Sequence, residues 1–260
     1  MRFGWSPRRA ATAAAVLLAL AGCGHPGPPM ARPSPPSPLP TAAPVDANRL
    51  IGAVFVGDTD QHTCTGSVLH SETGDLILTA AHCLAGGSGA TFVPGFSGNS
   101  GPNGTWQIGS VYMDRRWLST QDPIVDFAVA RVSRAGAGSV ESVVGRGLSL
   151  GAAPRKGTLV TVTAYPASVG GTPIGCRGDT AAGPRGFPSV SCVGLPAGTS
   201  GAPWVSGSSV VGLIGGFHGG GCNDDVSYSP PFDGAVSALL ARAEAGGQGD
   251  TGPTTFNDGC

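Results

Sequence analysis

The stretch Leu76-Ile77-Leu78-Thr79-Ala80-Ala81-His82-Cys83 decides how this chain is read. An apolar run ends in small residues, and a histidine beside a cysteine follows at once. Far downstream, Gly198-Thr199-Ser200-Gly201-Ala202-Pro203 sets a serine among glycines, just before Trp204-Val205. Between the two lies Asp126, within Ile124-Val125-Asp126-Phe127-Ala128-Val129-Ala130-Arg131-Val132. A base, an acid to orient it and a hydroxyl in a tight turn are the parts of a nucleophilic serine site.

Each residue type has a chemical reason to be there. Imidazole both takes and returns a proton near neutral pH, which suits His82 to the role of base. A carboxylate accepting the other ring N–H fixes the tautomer and stabilises the imidazolium. Asp126 sits among apolar residues, where a charge is costly to bury without a partner. Asp122 is the alternative, although Pro123 marks its surroundings as a loop. Glycines beside Ser200 let the backbone fold tightly and aim N–H groups at one point.

At these motifs the chain resembles the trypsin/chymotrypsin-like serine proteases, and among them the bacterial secreted and lipid-anchored members. The order His, Asp, Ser separates it from the α/β-hydrolases. The resemblance implies an all-β fold, a double six-stranded β-barrel with a C-terminal helix, over residues 48–245. It implies a protein or peptide substrate, no cofactor, and a catalytic set of His82, Asp126 and Ser200. The amides of Gly198 and Ser200 would form the oxyanion hole, where a donor is worth roughly 3 kcal/mol in the transition state. The substrate pocket would draw on Gly194 and on Gly215, Gly216 and Phe217. Gly194 falls where trypsin-like members carry an acidic pocket residue, and no Asp or Glu lies between Cys192 and Ser200. Small or apolar side chains are therefore expected there rather than Arg or Lys. His218 is an alternative, anion-recognising pocket residue, but its register is shifted.

Two positions depart from the family pattern. Thr199 stands where most members have aspartate, so it cannot pair with a new N-terminal ammonium. No zymogen switch is expected despite Arg49-Leu50-Ile51-Gly52. Ala202 stands where glycine is usual. These departures leave a second reading, a trypsin-like surface protein with little or no activity that serves as a binding module.

Composition narrows the field further. Charged residues make up 12% of 260, and the formal net charge is -1. That excludes a nucleic-acid surface and a polybasic membrane patch. Hydrophobic residues reach 40%, enough for a packed core, and 44 glycines punctuate short valine-rich runs as all-β folds require. The chain is read as a monomer.

Arg2, Arg8 and Arg9 precede an apolar run from Ala10 to Leu20, as in an export leader over residues 1–22. Leu20-Ala21-Gly22-Cys23 resembles the bacterial lipobox, which makes Cys23 the lipidated residue and a membrane anchor. Cleavage after Ala19-Leu20-Ala21 would instead give a secreted protein. Either way the domain is extracytoplasmic. Seven cysteines are an odd number, and setting Cys23 aside leaves six for three disulfides. Sequence alone allows fifteen connectivities. Cys64 with Cys83 is the pair the resemblance implies. Cys176 with Cys192 is favoured by proximity, and Cys222 and Cys260 remain. Zinc ligand types occur at His62, Cys64, His82, Cys83 and His218, but without metal-site spacing, so no metal is expected. Asp224-Asp225 reads as a solvated loop rather than a calcium site.

Residues 23–47 are rich in proline and read as an extended tether. Strands are expected at Ile51–Val56, Thr63–Leu69, Asp75–Ala80, Trp106–Met113, Ile124–Val132, Thr158–Ala164, Ser189–Val193 and Val210–Phe217. Ser71-Glu72-Thr73-Gly74 should turn between the second and third. Pro231–Ala245 has a helical apolar face and ends at Gly246-Gly247. Residues 246–260 read as a polar tail, loose until Cys260.

Overall fold

Short β-branched runs fold here as strands because their apolar residues pack on a shared core, while in several of them alternate residues face outward. The computed structural model describes residues 1–4, 38–85, 89–98 and 101–260. The apolar run of the expected leader, Cys23 and residues 24–37 lie outside the described residues. In chain order the strands are β1 (Ala43–Pro44), β2 (Ile51–Val56), β3 (Gln61–Leu69), β4 (Leu76–Thr79), β5 (Ala90–Pro94), β6 (Trp106–Met113) and β7 (Ala128–Ser133). Then come β8 (Ser149–Leu150), β9 (Leu159–Ala164), β10 (Ser168–Val169), β11 (Ile174–Ala182), β12 (Pro188–Ser191), β13 (Pro203–Ser206), β14 (Ser209–Leu213) and β15 (Val226–Tyr228). Among the described residues the α-helices are α1 (Arg115–Thr120), α2 (Val140–Val144) and, after the last strand, α3 (Gly234–Ala245).

Strands β3, β2, β5, β6, β7 and β4 follow one another in the first sheet, and β4 pairs back onto β3. The six antiparallel strands thus close into a barrel, with β10 added along β3. Leu76, Ile77 and Leu78 are all fully buried, so β4 shows no polar face. The second sheet runs β15-β12-β11-β9-β13-β14-β8, with β1 on β11. Among the described residues its two ends do not pair, which leaves a curled half-barrel. The expected all-β, two-barrel architecture with a C-terminal helix is the observed one, with the second barrel open between β8 and β15.

Helix α3 packs on β6 and β7. Its Val236, Leu239 and Ala243 are buried in the same core as Val129 and Tyr112. The helix begins three residues later than the proline suggested, because the Asp233 side chain caps it by accepting from the Ala235 amide at 2.8 Å. Strands β2 and β6 match their expected ranges residue for residue. Two others end early or start late. Residues Val210–Phe217 are strand only as far as Leu213, and Phe217–Gly220 is a short 3-10 turn. Residues Ile124–Val132 divide into a 3-10 turn, Pro123–Val125, and then β7.

The compact unit begins at Pro38, ahead of the expected start at Asn48. Part of the proline-rich stretch is therefore sheet edge. The Ala42 amide donates to the Val193 carbonyl at 2.8 Å, and β1 pairs with β11. Proline is tolerated in β1 because edge strands can leave a donor out of the ladder.

Disulfides join Cys64 to Cys83, Cys176 to Cys192 and Cys222 to Cys260. Cross-links closing loops of 19, 16 and 38 residues are each worth about 3–4 kcal/mol in the chain-entropy account. Among the described residues, no helix is long and apolar enough to cross a membrane.

Candidate active site

The first-barrel register sets the histidine beside the aspartate. Leu78 pairs with Val129, and Thr79 pairs with Ala128. Continuing that antiparallel register past the strand ends brings residues 81 and 126 opposite each other. His82 lies in a 3-10 turn, Ala81–Leu84, whose Cys83 is tied to β3 through Cys64. Asp126 follows its own 3-10 turn and precedes β7, so it sits outside the strand in which its apolar neighbours had placed it. The turn frees its side chain to face the histidine.

Asp126 is fully buried, and the His82 side chain is 10% exposed. The carboxylate accepts three N–H bonds: from His82 Nδ1 at 2.7 Å, from the His82 amide at 3.0 Å and from the Gly216 amide at 2.8 Å. An ionised carboxylate only accepts, so the network puts a proton on Nδ1 and leaves Nε2 as an acceptor. Asp122 instead caps the 3-10 turn, accepting from the Ile124 amide.

Ser200 sits in the turn that leads into β13. The Thr199 amide and hydroxyl both donate to the Pro196 carbonyl, at 3.2 and 2.7 Å. The Ser200 carbonyl accepts from the Thr65 amide at 2.8 Å, which docks the turn on β3 of the first barrel. Gly198 has φ +91° and Gly201 has φ +80°. A Cβ on Gly198 would lie 2.0 Å from the Ala167 amide nitrogen, and one on Gly201 would lie 2.1 Å from the Thr65 carbonyl oxygen. Both positions demand glycine on conformation and on space. Among the described residues, the amides of Gly198 and Ser200 donate to no backbone acceptor.

His82 and Ser200 line one cleft of about 420 Å³, together with Leu195–Thr199 on one side and His218–Asp224 on another. The four expected pocket residues are not among those lining this cleft. Gly216 holds Asp126, and a Cβ on Gly215 would lie 3.1 Å from its Oδ2. The Phe217 ring packs on Phe187, Tyr228 and Arg185. The Gly194 amide donates to the Asp224 carbonyl at 2.6 Å. Ile214, Ser227 and Asp224 line the cleft instead. Asp224, read as solvated loop, is exposed and also lines the cleft. His218 does line the cleft, with φ +51° and its Nδ1 3.2 Å from the Asp258 carbonyl. Cys64 and Cys83 are bonded to each other and offer no thiolate.

Sequence reasoning also missed Phe256, whose ring stacks on His82 with centroids 4.6 Å apart and planes 13° apart.

Residues 64–213 match the model of the trypsin-like peptidase domain, well over half of the chain. The chain belongs to the trypsin-like peptidase family. No curated protein matches it. Among solved structures, this trypsin-like peptidase is similar to the protease Anisep from Arthrobacter nicotinovorans. Identity is 22% and the TM-score 0.69, over 79% of this chain and all of that one. The thermostable serine protease AL20 from an extremophilic microorganism is 20% identical, with a TM-score of 0.66 over 77% of this chain and 99% of that one. Human heparin binding protein is 16% identical, with a TM-score of 0.63 over 81% and 98%. At these identities the likeness is one of fold.

Proposed function

We propose that this trypsin-like peptidase is an exported serine endopeptidase in which His82, Asp126 and Ser200 perform the chemistry. The carrying observation is the buried Asp126 bound to Nδ1 of His82, a residue that lines the same cleft as Ser200. Ser200 Oγ attacks the scissile carbonyl while His82 Nε2 takes its proton. The Gly198 and Ser200 amides receive the developing oxyanion. His82 returns the proton to the leaving amine, and an acyl-enzyme forms on Ser200. A water deprotonated by His82 then releases the acid. Asp126 holds the ring and stabilises the imidazolium without itself taking the proton. A binding module needs none of this arrangement.

The test is a fluorophosphonate, which reports an activated serine irrespective of substrate. One equivalent should attach, at Ser200, to residues 38–260 purified with all three disulfides formed. A folded, oxidised domain that takes up no label would overturn the assignment in favour of a binding protein.

Export is supported by the three disulfides, which belong to an oxidising compartment. Anchoring through a lipid on Cys23 completes the proposal.

The domain works without a zymogen switch. The Leu50 amide, which cleavage after Arg49 would turn into the new N-terminus, donates to Asn48 Oδ1 at 2.9 Å, and the Thr199 hydroxyl is engaged by Pro196. A new ammonium at this place would meet no carboxylate in the serine turn. Cleavage after Arg49 should therefore leave kcat/KM no higher than in the intact domain. Assays before and after a nick at an engineered site there would check it, and a large activity jump would overturn it.

A further inference from the structure

The C-terminal tail, residues 246–260, has no regular secondary structure after α3, yet it is fastened at both ends. Near its start the Asp250 amide donates to the Val111 carbonyl at 2.7 Å. The Asp250 carboxylate accepts from the Met113 amide at 2.8 Å and from both Arg242 Nη atoms at 2.9 and 2.7 Å. That end belongs to the first barrel. At the far end Cys260 is bonded to Cys222 beside β15, and the Asp258 carbonyl lies against His218. That end belongs to the second sheet. Between the fasteners the tail crosses the rim of the cleft, and Phe256 stacks on His82 while tilting against Trp117 at 5.5 Å. Phe256, Asp258 and Cys260 line the same cleft as Ser200.

Resting on the peptidase reading, we infer that this strap is a wall of the substrate site and that Phe256 is a specificity-determining residue. One face of the His82 imidazole is occupied by the Phe256 ring. A substrate side chain that reaches His82 must share that space with the ring. The wall therefore admits small side chains at the substrate position that lies against His82 and excludes bulky ones. The disulfide holds the wall against its own entropy, since an unstructured segment of this length would otherwise sample many positions. Both of its cysteines are exposed. The cross-link thus fastens a surface segment rather than the core.

The experiment profiles peptide libraries with the wild type, Phe256→Ala, Phe256→Trp and the double variant Cys222→Ser/Cys260→Ser. Each protein is first checked for a cooperative thermal transition. With Phe256→Ala, the ratio of kcat/KM for bulky over small residues should rise by about tenfold or more at one position flanking the cleaved bond. The ratio should fall with Phe256→Trp. The double cysteine variant should move in the same direction as Phe256→Ala, and it carries the test if that substitution prevents folding. An unchanged profile would overturn the inference. So would an equal gain for all substrates, because that is the signature of a plug rather than a wall. A wild-type domain without fluorophosphonate labelling at Ser200 would fail earlier, on the peptidase reading itself, and would take this inference with it.

Discussion

Ser200→Ala and His82→Ala are each expected to lower kcat by about 10⁶, and Asp126→Asn by about 10⁴. The first two remove the nucleophile or the base outright, and their combination should cost little more than either alone, because the groups act as a unit. The third is more discriminating. Asp126 accepts three N–H bonds, two from His82 and one from Gly216. Asparagine has nearly the same shape but offers only one acceptor oxygen and a donating NH₂. If that NH₂ faces Nδ1, the ring must turn Nδ1 into the acceptor and carry its proton on Nε2. It can then no longer take the proton of Ser200. Steady-state kinetics on a peptide substrate, with thermal denaturation alongside, measures this ladder. A folded Asp126→Asn enzyme with near-normal kcat would remove Asp126 from the mechanism.

Gly198→Ala should lower kcat by about 10²–10³, the cost of losing one oxyanion donor. It should also destabilise the fold by about 1–3 kcal/mol through backbone strain. The argument is steric. At φ +91° an alanine is strained before any contact is counted, and its Cβ would lie 2.0 Å from the Ala167 nitrogen and 2.6 Å from the Ala167 Cα. These are backbone atoms and cannot rotate away. Either the 166–167 segment moves or the Gly198 peptide turns, and both take the amide away from the place where the oxyanion forms. Gly207→Ala is the control, because φ is +62° there and nothing lies within 4 Å of the new methyl. It should show strain alone, with kcat retained. Equal kcat in the two variants would show that the Gly198 amide contributes nothing to the reaction.

The aspartate shows how far local reading goes. Its apolar neighbours marked residue 126 as buried and in need of a partner, and it is fully buried on His82. The same neighbours made it look like part of a strand. The 3-10 turn at Pro123–Val125 is fixed by Asp122 capping Ile124 and by packing around Val125. Periodicity cannot weigh such contacts. The substrate pocket was the least legible part of the site. Counting back from Ser200 gave Gly194, and the strand expected to end at Phe217 gave Gly215, Gly216 and Phe217, but the strand stops at Leu213 and the turn at Phe217–Gly220 bends the chain. Residues 218–224 line the cleft in their place.

Sequence by itself determined what depends on neighbours in the chain. It placed β2 and β6 to the residue, marked the all-β class, put His82 after β4 and Ser200 in a glycine turn, and showed that one cysteine of seven stands apart. These follow from alternation of small and branched apolar residues, turn chemistry and short motifs. Tertiary structure alone decided the rest. It joined His82 to Asp126 across 44 residues, left the second barrel open, drew residues 40–45 onto a sheet edge and chose one disulfide connectivity. It also laid Phe256 on His82. A polar, glycine-rich tail carries no periodic signal of its own. Its position comes from a charge pair at Asp250, a cross-link at Cys260 and one aromatic ring, and each of these acts only once distant parts of the chain have folded together.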